Sequence, residues 1–376
     1  MKYILGKIAD YIRETDKLLL ILCFCTALYG CLAVYSTTYY MESVRPFLVQ
    51  SLCLFLGIAA AIFISLFDYE KYLKYWYLLL ALGIIPVILT FFIGIAPEGT
   101  DDKAWLDLGI TAFQPSELFK ICFIVSFSQH LRFAKPNINK LKNLLPICVH
   151  AAVPILLIHF QGDDGTALVF AVIVLCMMWA AGISWKYFLS AFSAIAIASP
   201  FVYFFVMNED HRERIRHLFD IESDIKGIGY QQWRGRVALA NGGLFGQGYL
   251  EGDLTQGGLI PESHNDFIFV SIGEELGFIG CMLVLILLAA ICLRCIRVAR
   301  LCSNDGGKFI CVGIFAMLFA QTVINIGMCT SVLPVIGVTL PFFSSGGTSL
   351  LCLFLGIGLV LSVYKNRNSR TIYLHD

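Results

Sequence analysis

Residues 18–35 read LLLILCFCTALYGCLAVY, eighteen positions without a charged side chain. A helix needs about 20 apolar residues to cross the hydrocarbon core of a bilayer, and this run begins at Leu18 and meets that length. It is the first of a series. Comparable runs centre near residues 28, 56, 84, 124, 152, 173, 196, 282, 320 and 354. The expected fold is therefore an all-α integral membrane protein of about ten transmembrane helices, one polytopic domain over residues 1–376. No small-residue cleavage site follows the first run, so it is expected to be a retained helix and not a removed signal peptide.

Composition agrees. The chain is 58% hydrophobic and 14% charged, against about 25% charged in an ordinary soluble domain. Lys plus Arg and Asp plus Glu both total 27, so no basic excess suggests nucleic acid and none is expected as a partner.

The position of the charges carries more than their balance. With the N-terminus inside, the inner segments collect Lys2, Lys7, Arg13 and Lys17, then Lys71 and Lys74, then Arg132, Lys135, Lys140 and Lys142. Lys186, Arg294, Arg297, Arg300 and Lys308 follow, and Lys365, Arg367 and Arg370 close the chain. Short outer loops hold only Arg45 and Lys103. The positive-inside rule then predicts both termini on the cytoplasmic side of the membrane. A segment of about 57 residues, 208–264, falls outside between the seventh and eighth helices; it is too long for a passive connector. Its aromatics and glycines (Tyr230, Trp233, Phe245, Tyr249, and the run from Gly242 to Gly258) argue against disorder.

Fourteen cysteines fall almost wholly in apolar runs, and both outer stretches, 96–114 and 208–264, contain none. They read as buried thiols acting as small hydrophobes. Cys292, Cys295 and Cys302 lack a fourth ligand for zinc.

Four polar clusters interrupt the apolar pattern. Gln114-Pro-Ser-Glu-Leu-Phe-Lys120 puts Pro115 at a helix start and Glu117 and Lys120 on one face, three residues apart. Charged groups inside a span pair or line a wet cavity; a packing ion pair and a cavity wall for an anionic group both fit. Gln161-Gly-Asp-Asp-Gly-Thr166 sets Asp163 and Asp164 at the outer mouth of the sixth helix. Helix capping explains one of them. A divalent cation near a phosphate is the other reading, with Asp163 and Asp164 as candidate metal ligands and Mg or Mn as the candidate ion.

Ile260-Pro-Glu-Ser-His-Asn-Asp-Phe-Ile-Phe269 closes the long loop and runs into the eighth helix. A carboxylate at an apolar mouth is expected to have a raised pKa, which suits a general base and makes Asp266 the catalytic candidate. A helix cap fits Asp266 as well, and Glu262 and His264 fit ordinary loop groups. Pro341-Phe-Phe-Ser-Ser-Gly-Gly-Thr-Ser349, before the tenth helix, either offers backbone N–H groups to a ligand or forms a close packing seam.

Taken in order, Gln114-Pro-Ser-Glu-Leu, Gln161-Gly-Asp-Asp-Gly-Thr-Ala-Leu, Gly243-Leu-Phe-Gly-Gln-Gly, Pro261-Glu-Ser-His-Asn-Asp-Phe-Ile-Phe, Gly273-Glu-Glu-Leu-Gly and Leu340-Pro-Phe-Phe-Ser-Ser-Gly-Gly-Thr-Ser closely resemble the SEDS family of RodA, FtsW and SpoVE. Gly229-Tyr-Gln and Gly248-Tyr-Leu-Glu-Gly resemble the RodA branch more than FtsW. The chain departs from the family pattern at Gly162 and Asp164, at Asn265 and at Ser345.

The resemblance implies a peptidoglycan glycosyltransferase that polymerises lipid II at the outer face of the membrane, for cell elongation and shape. It implies Asp266 as the essential aspartate, with Glu117, Lys120, Asp163, Glu262, His264, Ser344 and Ser345 as substrate-binding candidates. Implied partners are a class B penicillin-binding protein, lipid II with the undecaprenyl-pyrophosphate-linked glycan, membrane lipids and other elongation-complex proteins. Two alternatives accompany this reading: a flippase for the lipid-linked precursor, and the division or spore-cortex role within the same family.

Overall fold

Ten long helices form where the apolar runs lie: α1 (Lys17–Tyr39), α2 (Arg45–Leu66), α3 (Trp76–Ile93), α4 (Pro115–Ala134), α5 (Leu141–His159), α6 (Asp164–Ala181), α7 (Trp185–Val206), α8 (Ile268–Leu301), α9 (Asp305–Cys329) and α10 (Gly347–Lys365). The computed structural model describes residues 11, 13–96, 103–107, 109, 112–207, 209, 212–213, 215–216, 227 and 229–367. Lys2, Lys7 and Arg370 of the charge pattern, and residues 208, 210–211, 214, 217–226 and 228 of the long loop, lie outside the described residues.

Among the described residues, nine of the ten helices are long and apolar enough to cross a membrane. The tenth is α4, 20 residues long, which carries Glu117, Lys120 and Arg132. α3, α5, α6, α9 and α10 all pack on it, so its polar groups meet protein. Its aromatic face (Phe119, Phe123) closes on Phe170 of α6 with ring centroids 5.3 and 5.5 Å apart. The most apolar windows of α9 and α10 are 72% and 67% buried, which places these two helices at the centre, whereas none of the window of α7 is buried.

Small residues set the close crossings. Gly57 of α2 abuts the Phe354 ring of α10, and Gly358 of α10 lies against the backbone of Ala61. All fourteen cysteines are free thiols, eleven of them buried.

At one end of the bundle, charges tie the helix termini together. Arg294 Nε donates to Asp16 Oδ2 at 2.6 Å, and Asp16 also caps α1 by accepting from Leu19 N. Arg132 donates to Glu70 at 2.8 Å, Glu70 also accepts from Asn304, and Lys135 pairs with Asp305. The opposite end holds a two-residue hairpin, β1 (Leu106–Asp107) with β2 (Ala112–Phe113), and the long loop. That loop contains the helix Tyr230–Gly242 and the short helix Asp253–Gln256.

The glycine-rich run of the loop docks into a break in α8. Gly277 has φ 67° and ψ −164° inside that helix. The backbone groups released there bond to the loop: Phe278 N to Gly243 O at 2.9 Å, Gln247 N to Glu274 O at 3.0 Å, and Gly248 N to Glu275 O at 3.0 Å. Irregular backbone at membrane depth is tolerated only where protein satisfies it. The first half of α8 is thereby held at a fixed angle, with the segment carrying Asp266 directly before it.

Candidate functional site

Asp266 lies in a turn that ends at Phe267, and α8 starts at Ile268 without a side-chain cap. Helix capping therefore does not account for this carboxyl. Its own backbone is clamped: Asp266 O accepts from Asn325 Nδ2 at 2.8 Å and from Cys329 Sγ at 3.4 Å, both on α9. Asn325 is 0% exposed and its amide also donates to Val338 O at 2.7 Å. One buried side chain thus joins the turn to the segment before α10. Burial pushes the Asp266 carboxyl up to about 7, and the negative neighbours Glu262 and Asp163 add to the shift.

Asp163 reaches the same place from another helix. The N-terminus of α6 presses on residues 336–338, since a side chain at Gly165 would collide with Ile336 O. Gly337 in turn, at φ 67°, would carry a Cβ 3.6 Å from Asp266 Oδ2. Asp163 caps α6 by accepting from Thr166 N at 2.8 Å, and its other oxygen accepts from Gln114 Nε2 at 3.0 Å. Burial raises its pKa to about 6, opposed by the Thr166 hydrogen bonds and by Lys120. Asp164 does not join it: its Oδ1 meets His159 Nδ1 at 2.5 Å, on the exposed side.

Glu117 and Lys120 form an ion pair of 2.7 Å, with the residues 4% and 1% exposed. The packing reading accounts for that pair as it stands. Yet both charges also act on Asp163, so the pair belongs to the same electrostatic group as the two aspartates.

The two remaining motifs bind each other. Ser344 Oγ donates to Asn265 O at 2.8 Å and accepts from Leu340 N at 2.7 Å, while Ser345 N donates to His264 O at 2.8 Å. Gln50 of α2 brackets this junction, donating to Ser344 O and accepting from Gly346 N. Ser344 and Ser345 therefore hold the Asp266 loop in place. Glu262 is exposed, has φ 52°, and accepts from Asn265 Nδ2 at 2.7 Å. A non-glycine residue in that region costs about 1–3 kcal/mol and marks a turn held by its surroundings. His264 is half-buried, burial lowers its pKa, and its Nδ1 is buried without a hydrogen bond, as is Ser263 Oγ beside it.

The helix Tyr230–Gly242 covers the loop from outside. Gln231 donates to Pro261 O, Gln232 to Leu333 O, and Gly235 sits against the Phe267 ring. It brings Arg234 and Arg236 to this end of the molecule.

Among the described residues no group of three His, Cys, Asp or Glu side chains is placed to hold a metal ion. Asp163 accepts from Thr166 N and Gln114 Nε2, while Asp164 Oδ1 pairs with His159 Nδ1, so the two aspartates do not act as a joint pair of ligands. Gln50 and Asn325 were not among the residues singled out from the sequence. Neither stands out in its span, since Gln50 has Ser51 beside it and Asn325 follows Gln321 and Thr322 in the same helix.

The family model FTSW_RODA_SPOVE, described as cell cycle protein, matches residues 16–369. Peptidoglycan glycosyltransferase MrdB of Escherichia coli (strain K12) is 35% identical over 80% of this chain and 79% of its own length. Probable peptidoglycan glycosyltransferase FtsW of Geobacter metallireducens is 31% identical over 94% of this chain and 95% of its own. Stage V sporulation protein E of Bacillus subtilis (strain 168) is 31% identical over 82% and 84%. A solved chain, from work on the structural coordination of polymerization and crosslinking by a peptidoglycan synthase complex, has a TM-score of 0.82 at 26% identity and covers 95% of this chain and 99% of that one. The rod shape determining protein RodA of Thermus thermophilus shares the fold, with a TM-score of 0.71 at 24% identity over 95% and 98%.

Proposed function

The chain belongs to the cell cycle protein family of FtsW, RodA and SpoVE and is a multi-pass membrane peptidoglycan glycosyltransferase, and from that premise we propose that Asp266 is its general base. The carrying observation is the Asp266 carboxyl itself: uninvolved in capping, fixed through its backbone by Asn325, and raised to about 7 by burial. A base with a pKa near the working pH transfers protons most effectively.

In the proposed step an acceptor sugar hydroxyl of lipid II attacks the anomeric carbon of the growing glycan. The new O–C bond forms as the bond from that carbon to the undecaprenyl pyrophosphate oxygen breaks. The hydroxyl proton passes to Asp266, and the electron pair leaves on the pyrophosphate. That leaving group needs charge neutralisation and not protonation, so one base suffices, in contrast to glycoside hydrolysis with its two carboxylates. We assign the neutralising charge to Lys120 and to Arg234 and Arg236 of the loop helix, with Glu117 and Asp163 orienting Lys120. Glu262 and His264 line the sugar side, and Ser344 and Ser345 hold the loop. No step is assigned to a cation.

The bundle end rich in Arg and Lys is proposed to face the cytoplasm, which puts both termini inside and Asp266 at the outer face. The higher identity to MrdB than to FtsW or SpoVE supports an elongation role. The likeness to a chain of a synthase complex supports a class B penicillin-binding protein as partner.

Purified protein with lipid II in detergent, with and without that partner, tests the reading. Wild type should form glycan strands, and Asp266→Asn should lose about 10²–10⁴-fold, the usual worth of a general base, while keeping its melting temperature. Detergent offers no bilayer to cross, so turnover there also separates polymerisation from lipid flipping. An active Asp266→Asn protein would refute the assignment.

A further inference from the structure

From Pro136 to Asn208 the chain carries five charged side chains: Lys140, Lys142, Asp163, Asp164 and Lys186. The two aspartates lie at the start of α6, and the three lysines at the other end of the bundle, where α5 and α7 begin. One residue ties these two starts together. Asn139 Oδ1 accepts from Ser184 N at 2.7 Å, its Nδ2 donates to Gly182 O at 3.2 Å, and its carbonyl accepts from the Tyr187 hydroxyl at 3.0 Å. Lys140 follows Asn139 directly and Lys186 is two residues beyond Ser184, so at about 3.8 Å per residue both stand beside this clamp. All three lysines are exposed. They form a ledge shared by two loops that are far apart in the chain.

The charge on this ledge is uncompensated. Arg132, Lys135 and Arg294 at the same end are paired with Glu70, Asp305 and Asp16. Among the described residues no carboxylate pairs with Lys140, Lys142 or Lys186. α5 and α7 also start here without a side-chain cap, so open backbone N–H groups add to the positive potential.

Beside the ledge the surface turns apolar. Leu141 and Leu145 of α5 are 71% and 63% exposed, and Trp185 and Leu189 of α7 are 64% and 59% exposed. An exposed Trp at the head of a span marks the membrane–water boundary. α7 makes no extended packing with another span, and none of its most apolar window is buried, so lipid tails line its sides from the ledge onward. The ligand that fits is an amphiphile, with an anion at the lysines and hydrocarbon along Leu145 and Leu189. A zwitterionic headgroup would bring its cation to a ledge with no carboxylate to receive it. We propose that Lys140, Lys142 and Lys186 bind the phosphate of an anionic phospholipid at the membrane boundary, with its acyl chains along α5 and α7. The site does not rest on the glycosyl-transfer reading, and it holds for either orientation of the chain in the membrane.

To test this, full-length protein in detergent is given equal amounts of dioleoyl phosphatidylglycerol and dioleoyl phosphatidylcholine, and the lipids that stay bound are counted by native mass spectrometry. Each lysine near a membrane surface favours an anionic lipid roughly fivefold. Wild type should retain phosphatidylglycerol over phosphatidylcholine, and Lys140→Gln/Lys186→Gln should lower that preference about 20-fold. Lys71→Gln/Lys74→Gln removes the same charge from the same end and should keep the preference. Asn139→Ala leaves every lysine in place but unties the two loops, and should lower it several-fold. Equal retention of the two lipids by wild type overturns the proposal, as does an equal loss in the two lysine pairs or an unchanged preference in Asn139→Ala. Displacement of the retained lipid by millimolar glycerol 3-phosphate would assign the ledge to a soluble phosphate and overturn it too. The wild-type comparison stands even where a variant fails to fold.

Discussion

The proposed base works only when ionised, and the pKa of Asp266, raised to about 7 by burial, sets where that happens. The rate of lipid II polymerisation should fall about tenfold per unit as pH drops below about 7 and level off above it. Glu262 is the larger of the two charges raising this carboxyl. Glu262→Gln removes it, which makes ionisation easier and should move the midpoint of the pH–rate profile to lower pH. A midpoint that stays in place would mean that Glu262 does not act on this carboxyl. The buried pair Glu117–Lys120 poses a different residue-level question, because the packing and functional readings of it coexist. Lys120→Met strands a buried carboxylate and should cost about 3–5 kcal/mol, read as a large fall in melting temperature. The double variant Glu117→Gln/Lys120→Met removes both charges and should recover most of that stability. If Lys120 neutralises the pyrophosphate, the recovered protein stays inactive in the polymerisation assay. If the pair serves packing alone, activity returns with the fold.

At the scale of elements, the break in α8 determines how the site is held. The Gly243–Gly248 run fits the break because its glycines let two backbones touch: Gly246 has φ 82°, and a side chain there would collide with Glu275 O. Gly246→Ala should therefore destabilise by more than the roughly 1–3 kcal/mol of a strained φ alone. A melting curve in detergent would show it, with activity falling in parallel; an unchanged melting temperature would contradict the docking of this run on α8. Glu274 shows the same logic in side chains. It is fully buried, and it accepts from Leu254 N, Thr255 N and Thr255 Oγ1, so the carboxyl fixes the short helix Asp253–Gln256 to the first half of α8. The polar motifs in this loop are thus largely devices for seating one element on another, and the Asp266 carboxyl is not used in that way.

Across the whole molecule, the basic end and the aspartate end lie at opposite poles of the bundle, and the membrane orientation follows from which pole is inside. A fluorescent protein fused after residue 376 should fold and emit, whereas alkaline phosphatase fused at Asn241 should be active because it reaches the outer side; the reverse pattern would invert the orientation and displace catalysis to the wrong face. The number, order and approximate centres of the helices were legible in the chain, because bilayer thickness imposes a length on each apolar run and that length is a local property. Asp266, Glu117 and Lys120 were legible for a related reason: charge at membrane depth is costly and therefore conspicuous. Other features needed the packed structure. As metal ligands the sequence left Asp163 and Asp164 equal, and only the fold turned one toward Gln114 and Asp266 and the other toward His159. Neither Gln50 and Asn325 as clamps nor the break at Gly277 as a socket for a distant glycine run was readable in advance. The sequence by itself determined how many times this protein crosses the membrane and which way its charges bias it, since bilayer and solvent act on each segment separately. Which carboxylates meet, and which is left free to take a proton, was decided by the tertiary structure, because that depends on glycine-permitted contacts between helices far apart in the chain.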